Sequence, residues 1–386
     1  MDIIITRRTA HIKPFIVMEV LERANVMARA GIDVIHMEVG EPDFDTPSCI
    51  TEAVKKAMDG GNTHYTHSLG DFQLREAISS HYQSTYGTGV IDPDQIIVTS
   101  GTSPAMFLLF SALIEEGDEV ILSDPHYACY PNFITYMGGD PVTVPVHAEE
   151  GFQLDPGAIE KKISKKSKAI IVNSPANPTG NHLSRERLKA IAELAEERNL
   201  FVISDEIYHG LTYEGKDHSI LEFTDKAFVL NGFSKLYAMT GLRLGYLIAP
   251  REFIRPMQKL QQNFFISANS AVQIAGIAAL QKAGEDVARM RAIYNERRLF
   301  MIKRLRELGF LIPREPTGAF YIFANANHLS GDSLKLAFDI LEKAHVGVTP
   351  GIDFGERGEG HLRFSYANSI ENLREGMNRL ERYLNQ

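Results

Sequence analysis

The residue with the clearest chemical potential is a lysine between two apolar runs. The stretch Phe228 to Pro250 reads FVLNGFSKLYAMTGLRLGYLIAP. Phe228-Val229-Leu230 has the form of a buried strand, Ser234-Lys235 follows, and Tyr246 to Ala249 is apolar again. An ammonium in such a place is costly unless it is paired, neutralised or used covalently. A lysine can also snorkel to the surface, so other segments must decide. Four of them place polar residues directly after short apolar runs: Ser100-Gly101-Thr102-Ser103, Asp124 to Tyr127, Asn173 to Gly180 and Asp205 to Tyr208. The first suits a phosphate, because its free N–H groups and hydroxyls sit at the positive end of a helix dipole. It reads equally as an ordinary N-cap. Arg243 supplies either a countercharge or a surface ion pair. Gly40, in the turn-like Gly40-Glu41-Pro42-Asp43, either meets a backbone angle or leaves room for a ligand.

The periodicity of apolar residues describes the scaffold that must hold these groups. Strands are expected at Ile96 to Thr99, Glu119 to Leu122, Ala169 to Val172, Leu200 to Ile203 and Phe228 to Leu230. Helices are expected between them, among them Pro104 to Ile114, Tyr127 to Met137 and Arg185 to Arg198. This alternation predicts an α/β fold, a mostly parallel sheet covered by helices, with ligands beyond the carboxyl ends of its strands. After Pro250 long amphipathic helices dominate, followed by strands at Gly318 to Phe323, Val346 to Thr349 and His361 to Tyr366. Before the sheet come a helix at Phe15 to Gly31 and a strand at Val34 to Val39. The expected division is an N-terminal arm and part of a small domain at 1–45, a large α/β domain at 46–283 and a small α+β domain at 284–386. Its boundary falls in the long helix near Ala283 to Arg297.

Bulk properties narrow the function. A 386-residue chain with 44% apolar and 23% charged residues is ordinary for a globular enzyme. A formal net charge of -9 argues against nucleic acid or an anionic membrane as the main partner. Two cysteines, Cys49 and Cys129, form no disulfide framework, and no Cys/His spacing suggests a metal site. The N-terminal apolar run is too short for a signal peptide and no window is long enough to span a membrane, which points to the cytoplasm.

Taken together, Asn173-Ser174-Pro175-Ala176-Asn177-Pro178-Thr179-Gly180, Ser204-Asp205-Glu206-Ile207-Tyr208 and Ser234-Lys235 with Met239 to Gly245 resemble the class I/II aminotransferases. The aspartate aminotransferase branch of these fold-type I pyridoxal-phosphate enzymes is most similar. The likeness begins at Ile12-Lys13-Pro14 and reaches Arg363-Phe364-Ser365. It implies that Lys235 carries the pyridoxal 5′-phosphate as an internal aldimine and then shuttles a proton. Asp205 would pair with the pyridine nitrogen. Asn177 and Tyr208 would bond the ring 3′-oxygen, and Tyr127 would stack on the ring. Gly101, Thr102, Ser103, Ser234 and Arg243 would hold the phosphate. Arg363 would grip the substrate carboxylate with its planar fork, beside Gly40 and Asn173. Tyr65 would reach the cofactor phosphate of a neighbouring subunit, implying a homodimer with shared sites.

The implied reaction is transamination between an L-amino acid and a 2-oxo acid. A carbon–sulfur β-lyase shares the same machinery, and a non-catalytic ligand sensor shares the same fold. Ser103 stands where some prokaryotic aspartate enzymes of this branch carry a lysine for the distal carboxylate. Phe15 replaces a small polar residue, and Phe264-Phe265 adds aromatic surface. These departures predict a pocket for apolar or aromatic side chains.

Overall fold

The computed structural model describes residues 5–385, so the first residues of the N-terminal apolar run lie outside it. Its strands are β1 (Ile35–His36), β2 (Ile96–Thr99), β3 (Glu119–Asp124), β4 (Asp140–Pro145), β5 (Ser167–Asn173), β6 (Phe201–Asp205), β7 (Ala227–Gly232), β8 (Gly245–Ile248), β9 (Tyr321–Asn325), β10 (Val346–Gly347), β11 (Thr349–Pro350) and β12 (His361–Ser365). Seven of them form one sheet in the order β2-β8-β7-β6-β5-β3-β4. All neighbours are parallel except β8, which runs antiparallel to both β2 and β7. The carboxyl ends of the other six strands therefore share one edge, and β8 starts there. Core strands such as β2, β7 and β8 are buried along their whole length, the mark of a sheet covered on both faces.

A smaller sheet, β11-β12-β9, is fully antiparallel. It packs with the helices Gly284–Glu307, Ser333–Ala344 and Ile370–Leu384 around a separate core that includes Phe310, Phe320, Phe364 and Leu373. Ile35 and Met37 join this core, and β1 pairs in parallel with β10. The helix Ile16–Arg29 packs on the same side through Val20, Ala24 and Met27 against Leu341. The helix has no cap from its own Phe15; instead the carboxylate of Asp353 accepts from Ile16 N (3.0 Å) and Val17 N (3.2 Å). On the other side, Asn132 exchanges two hydrogen bonds with the backbone of Lys13, both at 3.1 Å. Residues 13–17 thus bridge the two sheets' territories.

Several elements differ from the sequence reading. The helix expected from Tyr127 starts at Tyr130, because Pro131 favours the first turn; Tyr127 lies in the preceding turn. The helix expected from Pro104 starts earlier, at Thr102, with Gly101 as its N-cap. The strand expected over Val34 to Val39 shortens to Ile35–His36. Val346 to Thr349 divides between two sheets, β10 pairing with β1 and β11 with β12. The run at Gly318 becomes a strand only at Tyr321, since Ala319 takes a left-handed conformation (φ 55°) that no ladder accommodates.

Candidate active site

The shared sheet edge opens on a cavity of about 250 Å³. The first turn of the helix Thr102–Leu113, which follows β2, brings Thr102 and Ser103 to it. The loop after β3 brings Tyr127, the end of β5 and the loop beyond it bring Asn173 and Asn177, the end of β6 and the turn after it bring Asp205 and Tyr208, and the loop after β7 brings Ser234 and Lys235. Arg243 precedes β8, Arg363 lies on β12, and Gly40 closes one side. Gly101 adjoins as the N-cap behind Thr102. Tyr65, 80% exposed on the chain surface, lies away from the cavity, and so do Phe264 and Phe265, whose rings pack against Phe107 instead of lining the pocket.

Lys235 Nζ donates to Gly40 O at 2.6 Å. Burial pushes its amine down to about 8, only partly offset by Glu41. Part of the side chain remains accessible because it forms the cavity wall. Asp205 is buried, with Oδ2 accepting from Tyr130 OH at 2.6 Å and Oδ1 from Ile207 N at 3.2 Å. Burial outweighs these bonds and lifts its carboxyl to about 6. A chain of amides lies beside it: Asn173 Nδ2 donates to Asp205 O (3.0 Å), and Asn177 N donates to Asn173 Oδ1 (2.8 Å).

Arg363 is only 2% exposed. Its Nη1 donates to Asn177 Oδ1 at 2.8 Å, and its Nη2 donates to Glu38 O and to Thr349 Oγ1. The rings of Tyr321 and Phe354 flank it, with centroids 4.4 and 4.9 Å from Cζ. Its Nε has no partner, and among the described residues no carboxylate pairs with it. A buried guanidinium without a counter-ion is a standing site for an anion.

The phosphate-sized cradle is built from close backbone approach. Gly101 takes φ 99°, and a Cβ there would lie 2.7 Å from Arg243 Nη2. A Cβ on Gly245 would lie 2.7 Å from Gly101 C and 2.9 Å from Thr102 N. The first N–H groups of the helix Thr102–Leu113 have no intrahelical partner, and Arg243 makes no ion pair among the described residues. Free donors, a dipole and a cation converge where side chains are kept out.

Among the cavity-lining residues that escaped the sequence reading are two tyrosines. Tyr130 bonds Asp205 from 75 positions away, and Tyr321 touches Tyr208 from 113. Neither belongs to a local motif, although Tyr130 lies three positions after the singled-out Tyr127.

This geometry has counterparts. Residues 32–380 match the model of the family described as aminotransferase class I and II. A (5-formylfuran-3-yl)methyl phosphate transaminase of Methanocaldococcus jannaschii is 42% identical, over 99% of this chain and 100% of its own. The chain belongs to the class I and II aminotransferases. An aspartate aminotransferase of Pyrococcus horikoshii is also 42% identical, covering 98% of this chain and 97% of its own length. The Thermus thermophilus aspartate aminotransferase solved with maleate superposes with a TM-score of 0.94 at 37% identity, covering 98% and 99% of the two chains. This aminotransferase is therefore a pyridoxal-phosphate enzyme that exchanges amino and oxo groups between amino acids and 2-oxo acids. Relatives named for amino-group transfer do not favour the β-lyase or sensor readings. The cavity fits the cofactor: an anion cradle, an amine of lowered basicity and a buried carboxylate share its wall. Among the described residues no His/Cys/Asp/Glu cluster could hold a metal, and no helix is long and apolar enough to cross a membrane.

Proposed function

We propose that the aminotransferase performs both half-reactions in this cavity with Lys235 as its catalytic residue. The observation that supports this most is that three cations, Lys235, Arg243 and Arg363, face one cavity without a carboxylate partner among the described residues. When bound, pyridoxal 5′-phosphate supplies an aldehyde to receive the amino group and a ring to accept electrons from the substrate Cα. Lys235 would hold that aldehyde and, when free, would move the proton at the substrate Cα; its burial-lowered amine, near 8, suits both tasks. Asp205 would hold the pyridine nitrogen, Asn177 and Tyr208 the 3′-oxygen, and Tyr127 the ring face. Gly101, Thr102, Ser103, Ser234 and Arg243 would hold the phosphate. Arg363 orients the α-carboxylate beside Gly40 and Asn173.

The side-chain end of the pocket favours apolar or aromatic donors. Phe15, Val17, Met18 and Val39 line it, and Ser103 supplies no cation for a second carboxylate. The working unit is a homodimer in which Tyr65 of each subunit reaches the other's cofactor phosphate, in the cytoplasm and in amino-acid biosynthesis. The large domain runs over 46–283, with 1–45 and 284–386 contributing the rest, a division supported by the separate cores on either side of the cavity. A spectrophotometric half-reaction screen of amino donors tests the substrate reading. Phenylalanine, methionine or alanine is expected to convert the bound cofactor to its amine form faster than aspartate, and a clear aspartate preference overturns it.

A further inference from the structure

Tyr321 forms part of the wall between Arg363 and Tyr208. Its hydroxyl lies 2.7 Å from the hydroxyl of Tyr208, and neither oxygen has another partner among the described residues. Both rings are buried, and burial raises both phenols, so each keeps its proton. Two protons therefore serve one shared hydrogen bond and one outward donation into the cavity. If the Tyr321 hydroxyl donates the shared hydrogen bond to the Tyr208 oxygen, the Tyr208 hydrogen is free to point outward. If the order is reversed, Tyr208 offers the cavity only a lone pair. An acceptor oxygen facing Tyr208 selects the first order.

We propose that Tyr321 is a positioning residue that donates to Tyr208 and thereby fixes and strengthens Tyr208 as the donor to the cofactor 3′-oxygen. The inference rests on the reading that Tyr208 faces that oxygen. A hydroxyl that accepts one hydrogen bond donates a stronger one, because the pair polarises cooperatively. Tyr321 is itself held firmly. Thr317 N and Gly318 N donate to Gly180 O at 2.9 and 2.7 Å, Tyr366 OH donates to Ala319 O at 3.2 Å, and Tyr213 OH donates to the same carbonyl. The left-handed turn at Ala319 then delivers the ring onto the face of Arg363.

The test uses the holoenzyme and the pH midpoint of the bound cofactor's absorbance. Tyr321→Phe keeps the ring over Arg363 and removes only the hydroxyl. It is expected to raise the midpoint by roughly half a unit, with the KM for the amino donor changed less than twofold. Tyr208→Phe is expected to raise it further, and the double variant to match Tyr208→Phe alone. Tyr321→Leu also uncovers the guanidinium and should raise the KM several-fold. If Tyr208→Phe shifts the midpoint and Tyr321→Phe leaves it at the wild-type value, the relay from Tyr321 is wrong. If Tyr208→Phe itself leaves the midpoint unmoved, the placement of Tyr208 at the 3′-oxygen fails, and the inference falls with it.

Discussion

Asn177 Oδ1 accepts a 2.8 Å hydrogen bond from Arg363 Nη1, joining the edge of the large sheet to a strand of the small one. The bond gives the guanidinium one of its few fixed partners. Replacing Arg363 by Lys removes the fork and leaves the Asn177 and Thr349 acceptors unmatched. The expected result is a fall in kcat/KM of roughly 100-fold, about 3 kcal/mol, carried mainly by KM and read from steady-state kinetics. Asn177→Ala should cost less, about 1–2 kcal/mol, because Arg363 keeps its bonds to Glu38 O and Thr349.

Among the described residues, Lys235 is the only lysine lining the cavity. Lys235→Ala should lower turnover by a factor on the order of 10⁴ or more. Borohydride treatment followed by mass spectrometry supplies an independent readout. The wild-type chain should gain a phosphopyridoxyl group at Lys235, the cofactor's mass less one oxygen, and the variant should not.

Gly40 and Tyr321 pack so closely that a Cβ at Gly40 would lie 1.9 Å from Tyr321 Oη and 2.9 Å from its Cζ. Gly40→Ala should therefore destabilise the fold by about 1–3 kcal/mol and lower activity. Tyr321→Phe removes the worst contact. The double variant should recover at least half of the stability loss, a coupling that denaturant titration of the four proteins measures.

The carboxyl of Asp205 stands at about 6 when folded, above the unfolded value near 3.8. A raised acid binds its proton more tightly in the native state, so the site loses stability as pH rises from about 4 to about 6. In cofactor-free protein, the stability of Asp205→Asn relative to wild type should rise by up to about 3 kcal/mol between pH 4 and pH 7. Denaturant midpoints across that range check it. Bound cofactor, with its ring N–H against Asp205, should flatten or reverse the slope.

Tyr65 is 80% exposed in the single chain. If it serves the neighbour's site, Tyr65→Phe should weaken cofactor affinity about tenfold, the worth of one hydrogen bond to a charged group. An unchanged dissociation constant, or a monomer by light scattering at working concentrations, contradicts the shared site.

Much of this architecture was legible because parallel sheets collect their loops. Residues following five separate apolar runs must meet if the strands are parallel, so the sequence alone groups Asp205, Asn177 and Lys235. Direction was not legible: the run Tyr246 to Ala249 reads as a strand, but only hydrogen bonding to β2 and β7 reveals that it is antiparallel. Long-range partners were hidden for a related reason. Tyr321 follows a left-handed alanine, and nothing in the residues Gly318-Ala319-Phe320 announces that turn. Asp353 caps a helix 337 positions away, so no capping pattern near Ile16 could signal it.

Arg363 hangs from β12 and Lys235 from the loop after β7, so the buried amine and the buried guanidinium of the cavity are mounted on different sheets. Any shift of one sheet's side of the cavity against the other would therefore change the separation of amine and guanidinium, so the bridge that residues 13–17 make between the two sides also guards the spacing of the site.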